Sequence, residues 1–188
     1  MVLDRGGRLF RIGIVPRGIA VFDAIDAYRM VMRRALPGTH RSRIRWLEII
    51  AFDGIGWKTA YRFVEPQGAA SLKGSLEAGK RIKLGQVDNF VDGAAVAEIG
   101  KVNFKLLKGF DKNIVITVPE NRLCSTIVEM LNIEGVVLEP AGALGIDALK
   151  DFKKSELKGK RIVIVVSGGN FDFERLPDVK ERALRYEG

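Results

Sequence analysis

The sequence predicts an α/β domain in three layers, with helices covering a mostly parallel sheet. The first observation is the apolar run Ile-Val-Ile-Val-Val at residues 162–166, because an unbroken β-branched run is typical of a strand covered on both faces. The second is that short β-branched segments alternate with helical patterns after residue 59. Composition agrees, since 47% of the residues are hydrophobic and 29% are charged, as in globular proteins.

The segments from residue 59 onward each carry a recognisable pattern. In chain order they are a strand at 59–64, a helix from the turn at 65–68 through Ala78, a loop or short strand at 89–96, a helix at 101–110, a strand at 113–118, a helix that includes residues 123–131, a helix at 139–149, the strand at 160–166 and a helix at 177–186. Leu123, Ile127, Met130 and Leu131 share one face of the sixth segment, and Gly135 ends it.

The first third of the chain differs in composition from the rest. Residues 1–64 contain eleven Arg, one Lys and five acidic residues, a net charge of +7, whereas residues 65–188 carry +1 of the total of +8. Apolar residues at helical spacing from Val21 to Leu36 predict a helix that Pro37-Gly38 ends, and residues 46–52 predict a short strand or helix. We therefore divide the chain into a basic segment of doubtful origin, residues 1–63, and a separate domain, residues 64–188.

Cysteine content and hydropathy indicate the compartment. Cys124 is the single cysteine, so it cannot form an internal disulfide, and this suits a reducing cytosol. The apolar stretches are too short to span a membrane. We expect a soluble cytoplasmic protein without a membrane partner.

Six short motifs follow one another after Val64. They are Val64-Glu65-Pro66 with Gly68-Ala69-Ala70-Ser71, Ser75-Leu76-Glu77-Ala78-Gly79, Val91-Asp92-Gly93, Glu139-Pro140-Ala141-Gly142-Ala143-Leu144, Ser167-Gly168-Gly169-Asn170 and Glu181-Arg182-Ala183-Leu184. In this order they resemble the C-terminal part of the catalytic domain of the threonine dehydratases (threonine ammonia-lyases). These enzymes belong to a pyridoxal-phosphate family that also contains serine racemase and serine dehydratase.

The resemblance implies a fold, a cofactor and a reaction. The fold is the fold type II, tryptophan synthase β-like architecture, and the cofactor is pyridoxal phosphate. The reaction is deamination of L-threonine to 2-oxobutanoate and ammonia, in isoleucine biosynthesis or amino-acid catabolism. The cofactor-binding residues that it implies are Ser167, Gly168, Gly169, Asn170, Asp92, Gly93 and Glu139.

Ser167 has the most specific implied role, a hydrogen bond to the pyridine nitrogen of the cofactor. A hydroxyl does not force a proton onto that nitrogen, whereas a carboxylate would stabilise the charged ring. The ring then stays a weak electron sink, which favours prompt loss of a β-hydroxyl from the substrate. Gly168 and Gly169 leave space for the ring.

Two acidic residues have an alternative structural interpretation. Glu139 borders the cofactor in relatives, but a carboxylate at a helix N-terminus is also favoured by the helix dipole. Glu65 matches a position beside a divalent cation in serine racemase. This chain has Ser71 where the third, acidic ligand stands there, so we expect no metal site and expect Glu65 to cap its helix.

The lysine that the reaction needs has no counterpart in this sequence. The family carries it in an upstream Ser-Phe-Lys-x-Arg-Gly element, and the catalytic set of this chain is therefore incomplete. Lys73 follows Ser71-Leu72 but lies in an ordinary helix, and Lys58 has no support either. We expect a truncated enzyme, inactive alone, that is either a gene remnant or a partner for a missing N-terminal half or a second copy.

A basic nucleic-acid-binding protein is the alternative function. Its candidate residues are Arg33, Arg34, Arg41, Arg43, Arg45 and Trp46. Clustered arginines with an aromatic residue are compatible with phosphate binding and base stacking. They form no recognised module, so we favour the enzyme.

Overall fold

The computed structural model describes residues 59–158, 161–164, 166 and 170–187, together with the backbone of three strands earlier in the chain. These strands and three later ones form one six-stranded sheet. The strands are β1 (Val2–Leu3), β2 (Leu9–Phe10), β3 (Glu48–Asp53), β4 (Thr59–Pro66), β5 (Val115–Val118) and β6 (Arg161–Ile164). The predicted helix at residues 21–36 and the arginines at 33–45 lie outside the described residues.

Strands and helices alternate from β4 onward, as predicted. The helices of the described region are α1 (Ser71–Ala78), α2 (Lys101–Leu107), α3 (Glu120–Glu129), α4 (Pro140–Asp147), α5 (Lys154–Leu157) and α6 (Leu176–Glu187). Gly79 ends α1 with φ 66°, and Gly135 ends the π-helical turn Met130–Glu134 after α3 with φ 60°. Both glycines adopt the left-handed conformation that ends helices, so the α/β class and these stops are confirmed.

The sheet contains the expected parallel strands together with antiparallel neighbours. The order is β2-β1-β6-β3-β4-β5, and β4–β5 is parallel while the other four pairings are antiparallel. The strands β4, β5 and β6 still run in one direction, because β3 lies between β4 and β6 and is antiparallel to both. The position of β3 beside β4 is that of a hairpin. Only five residues connect the two strands, so closing the loop between them costs little conformational entropy.

Helix α4 lies against the sheet, and its position fixes that of Glu139, the residue immediately before the helix. It packs on β3, β4 and α3, and every residue from Pro140 to Asp147 is buried. Ala141, Gly142, Ala143 and Gly145 supply the small side chains of this close approach. Leu144 is fully buried, which stabilises the fold by about 2 kcal/mol on the usual scale of apolar burial.

A buried polar cluster fixes α4 to α3. Asp147 accepts hydrogen bonds from the Thr126 hydroxyl (2.6 Å) and from Nε of Arg122 (2.8 Å). Arg122 also donates to both carboxylate oxygens of Asp151, and these partners raise its pKa against the effect of burial. Because each buried polar atom of Asp147 has a partner, the register of α4 on α3 is set by specific bonds as well as by packing.

In the part of the chain that the structure describes, no helix is both long and apolar enough to cross a membrane.

Candidate cofactor site

The structure brings together three of the residues that the sequence assigned to the cofactor: Asp92, Gly93 and Glu139. The turn at Asp92-Gly93 lies against the first turn of α4. A Cβ atom built on Gly93 would lie 2.9 Å from Cβ of Ala141 and 3.9 Å from Oε1 of Glu139. A side chain at position 93 would therefore push the turn off the helix, which explains why glycine stands there.

The turn is shaped by short hydrogen bonds within residues 88–94, which we call the 88–94 loop. A 3₁₀ turn at Asn89–Val91 is capped by Asp88, whose carboxylate accepts from N–H of Phe90 (2.8 Å). Asp92 accepts from N–H of Gly93 (2.9 Å), and its side chain is 73% exposed. The loop therefore has a rigid backbone that presents the Asp92 carboxylate to solvent at the edge of the site.

Glu139 occupies the N-cap position of α4, but its side chain makes no capping hydrogen bond. Its place at the helix N-terminus agrees with the predicted alternative role, in which the helix dipole favours a carboxylate there. Partial burial raises the pKa of Glu139, and the negative charge of Asp92 raises it further. Both causes make this carboxyl hold its proton to a higher pH than an exposed glutamate does.

The element after β6 is described only in part. Asn170 is exposed, and from there the chain continues through Phe171 into the 3₁₀ turn Phe173–Arg175. Ser167, Gly168 and Gly169 lie outside the described residues, so their predicted roles stay predictions.

Arg175 is a residue of this region that the sequence did not single out. Its Nη2 donates to the carbonyl oxygen of Phe90 (2.5 Å), and its Nη1 lies 3.6 Å from Oδ1 of Asp92. The two partners are more than eighty residues away along the chain, and an arginine before an amphipathic helix is usually solvated. Its sequence context carried no signal for these contacts.

Glu65 is a helix-capping residue, as predicted. Its two carboxylate oxygens accept from N–H of Leu72 (2.8 Å) and of Lys73 (3.0 Å), at the start of α1. Burial raises its pKa from 4.5 to about 7, and the two backbone hydrogen bonds oppose that rise. Lys73 lies in this helix, as expected, while Lys58 lies outside the described residues. Among the residues that the structure describes, no group of three or more His, Cys, Asp or Glu side chains could hold a metal ion.

Comparison with known proteins decides the family. The sequence profile described as "Pyridoxal-phosphate dependent enzyme" matches residues 49–168, which is more than half of the chain. The chain belongs to this family. The match begins in β3, upstream of residue 64, and the predicted resemblance is confirmed.

Individual relatives are similar over about two thirds of the chain. The chain is 48% identical over 124 residues to L-threonine dehydratase biosynthetic IlvA of Halalkalibacterium halodurans, covering 66% of this chain and 29% of that protein. The Bacillus subtilis protein of the same name is 49% identical over 125 residues. The processed form of threonine deaminase isoform 2 from Solanum lycopersicum superposes with a TM-score of 0.57 at 36% identity, covering 64% of this chain and 35% of that one. The chain thus spans less than a third of the curated relatives it matches.

The donor set of the described residues fits one side of the family's cofactor, pyridoxal phosphate. Asp92 and Glu139 lie together and offer carboxyl groups, which suit the ring substituents of the cofactor and the polar groups of an amino acid. The phosphate group is a dianion and needs a cradle of N–H donors, whereas here it would meet two carboxyl groups. These residues fit the ring and substrate side, and the phosphate cradle belongs to other residues.

Proposed function

We propose that this chain supplies one wall of a pyridoxal-phosphate site that deaminates threonine to 2-oxobutanoate and ammonia. The observation that carries the proposal is 48% identity over 124 residues to a relative named a biosynthetic threonine dehydratase. The placement of Asp92, Gly93 and Glu139 at one edge supports it. Because the match covers 29% of that relative, the remainder of the site comes from polypeptide that this sequence does not match.

The cofactor, when bound, supplies an electron sink for the bond broken at the α-carbon of the substrate. The residues of this chain would hold the cofactor and orient the substrate. The Ser167 hydroxyl would donate a hydrogen bond to the pyridine nitrogen without charging it, and Gly168 and Gly169 would leave room for the ring. The fully buried Ile162 and the buried Ile164 anchor the strand that leads to this element.

Glu139 and the Asp92-Gly93 turn would contribute to the same wall. The raised pKa of Glu139 extends the pH range over which its carboxyl is protonated, and in that form it would donate a hydrogen bond to a ligand oxygen. Asp92 is exposed and can accept a hydrogen bond from an ammonium group. Such a pair would orient a zwitterionic amino acid at the mouth of the cleft.

A lysine that bonds covalently to the cofactor must come from elsewhere. The Ser-Phe-Lys-x-Arg-Gly element does not occur in this sequence, so we propose that a polypeptide equivalent to the N-terminal part of the relatives completes the site. The division into residues 1–63 and 64–188 belongs to the same proposal. The boundary at residue 64 does not coincide with the edge of the sheet, because residues 48–53 form β3, which pairs with both β4 and β6.

Reconstitution tests the proposal. The full chain is mixed with the separately expressed N-terminal part of the Bacillus subtilis relative, with pyridoxal phosphate and threonine, and 2-oxobutanoate is measured. We expect product from the mixture and none from either component. Ser167→Ala should weaken cofactor binding, whereas the control Ser155→Ala on the exposed face of α5 should not. A folded mixture that binds no cofactor and forms no product would overturn the proposal.

A further inference from the structure

Arg175 makes three different contacts with the 88–94 loop. It donates a hydrogen bond of 2.5 Å to the carbonyl of Phe90, pairs with Asp92 at 3.6 Å, and places its guanidinium 5.1 Å from the centre of the Phe90 ring. A planar guanidinium can make all three at once, because it has donors in a fork and a face that stacks on aromatic rings. One side chain therefore fixes both the backbone and the carboxylate of the loop.

The contacts of Arg175 are with a part of the 88–94 loop that is packed on both sides. Phe90 is 5% exposed and Val91 is fully buried, so the loop is anchored on the core just before Asp92. On its other side, Gly93 touches Ala141 at the start of α4. The hydrogen bond from Arg175 to the Phe90 carbonyl therefore helps to fix the position of Asp92 relative to Glu139.

Arg175 also belongs to the segment that follows the predicted Ser-Gly-Gly-Asn element. Four residues separate it from Asn170, and the rings of Phe171 and Phe173 among them form an edge-to-face pair with centroids 5.5 Å apart. The same residue therefore links the segment after β6 to the Asp92-Gly93 turn. The sequence assigned both places to cofactor binding.

Arg182 provides an internal comparison. Its guanidinium lies 4.3 Å from the centre of the Phe90 ring, so it packs on the same residue as Arg175. Its ion pairs are with Asp178 at 3.1 Å and Asp88 at 3.8 Å, at the far end of the loop from Asp92. Arg182 thus shares the packing role of Arg175 but not its contact with Asp92.

We propose that Arg175 is a positioning residue of the cofactor site, which holds the Asp92-Gly93 turn against α4 and offsets the Asp92 charge beside Glu139. The inference rests on the proposed function for its consequence, since it concerns the wall that faces the ligand. The proposed interaction involves the side chains of Arg175, Asp92 and Glu139, and its effect on the titration of Glu139 can be measured without cofactor. Lysine could replace the charge of Arg175 but not its fork.

The first experiment follows the titration of the Glu139 carboxyl by carbon-detected NMR in the full chain. In Arg175→Gln the charge of Asp92 is no longer offset, so the pKa of Glu139 should rise above its wild-type value. Arg182→Gln, the matched control, should leave it unchanged. Asp92→Asn should lower it, and in that background Arg175→Gln should have no further effect.

The alternative outcomes of this titration are equally definite. Equal shifts in Arg175→Gln and Arg182→Gln would show that both arginines only pack on Phe90, and would overturn the inference. An undiminished Arg175→Gln effect in the Asp92→Asn background would also overturn it. If Arg175→Gln does not fold, Arg175→Lys decides: we expect a near-normal Glu139 titration with faster amide exchange at Ala94, whose N–H bonds to Val91.

The second experiment measures pyridoxal phosphate affinity in the reconstituted mixture. Arg175→Gln should weaken it about threefold to fivefold, the range expected for one partly exposed ion pair, and Arg182→Gln by less than twofold. Equal losses in the two variants would contradict the inference. If the wild-type mixture binds no cofactor, the proposed function has failed, while the Glu139 titration still tests the role of Arg175.

Discussion

Thr126 and Asp147, twenty-one positions apart in sequence, are joined by a hydrogen bond of 2.6 Å that links helices α3 and α4 inside the protein. Asp147 is fully buried and Thr126 nearly so. Arg122, partly exposed, is the cation that balances this carboxylate. The arrangement fixes α4, and through α4 it fixes the position of Glu139.

We predict that Asp147→Ala lowers the free energy of unfolding by about 3 kcal/mol, because it removes the buried partner of Arg122 and Thr126. Thr126→Val should cost about 1–2 kcal/mol, since Oδ1 of Asp147 loses its donor. Urea unfolding measures both. Lys150→Ala, which removes an exposed ion pair between Glu129 of α3 and the 3₁₀ turn that follows α4, is the control and should cost under about 0.5 kcal/mol. A loss in that control as large as for Asp147→Ala would contradict a role for burial.

Much of this arrangement could be predicted from the sequence, and the reasons are local. Gly135 and the Glu139-Pro140 pair mark the end of one helix and the start of the next, because glycine tolerates the left-handed conformation and proline suits the first turn. Asp92 and Glu139 were assigned to one site through the order of motifs. The place of β3 in the sheet was not predictable, because a short β-rich segment does not specify its partner strands. The contacts of Arg175 could not be predicted, because they depend on tertiary packing and no pattern in the neighbouring sequence indicates them.

Glu65 should make stability depend on pH. Its pKa is about 7 in the folded state and near 4.5 in the unfolded chain, so the folded state binds this proton more tightly. Its contribution is therefore greatest below pH 4.5 and is lost as the pH rises to about 7, a decrease of about 3 kcal/mol. Chemical unfolding between pH 4.5 and 8 measures this.

The controls for that pH dependence lie in the same segment. Glu65→Gln cannot ionise, so the decrease should disappear, whereas Glu77→Gln on the exposed side of α1 should retain it. An unchanged pH dependence in Glu65→Gln would show that other groups cause it.

Gly93→Ala should destabilise the protein by about 1–3 kcal/mol, because the new methyl group would lie 2.9 Å from Cβ of Ala141. Gly109→Ala is the matched control, since a Cβ there meets no atom within 4 Å, and it should cost nothing or stabilise slightly. Thermal unfolding of both variants measures the difference. Ala141→Gly should relieve part of the Gly93→Ala loss in the double variant, and strictly additive losses would show that these two residues are not the cause.

Ser167→Asp should redirect the chemistry of the reconstituted site. A carboxylate stabilises a protonated pyridine ring, which makes the ring a stronger electron sink and prolongs the life of the α-carbanion. We expect less 2-oxobutanoate per threonine consumed and more exchange of the α-hydrogen with solvent, measured by deuterium incorporation into recovered threonine. Ser167→Ala should lose 2-oxobutanoate formation without that gain in exchange. Equal product ratios in wild type and Ser167→Asp would contradict the assigned role of Ser167.

Pyridoxal phosphate binding, followed by fluorescence, tests the central claim most directly. The titration compares this chain alone, the N-terminal part of the Bacillus subtilis relative alone, and their equimolar mixture. The account predicts saturable binding in the mixture, weakened by Ser167→Ala, and none by this chain alone. Tight stoichiometric binding by this chain alone, or no binding by a folded mixture, would contradict it.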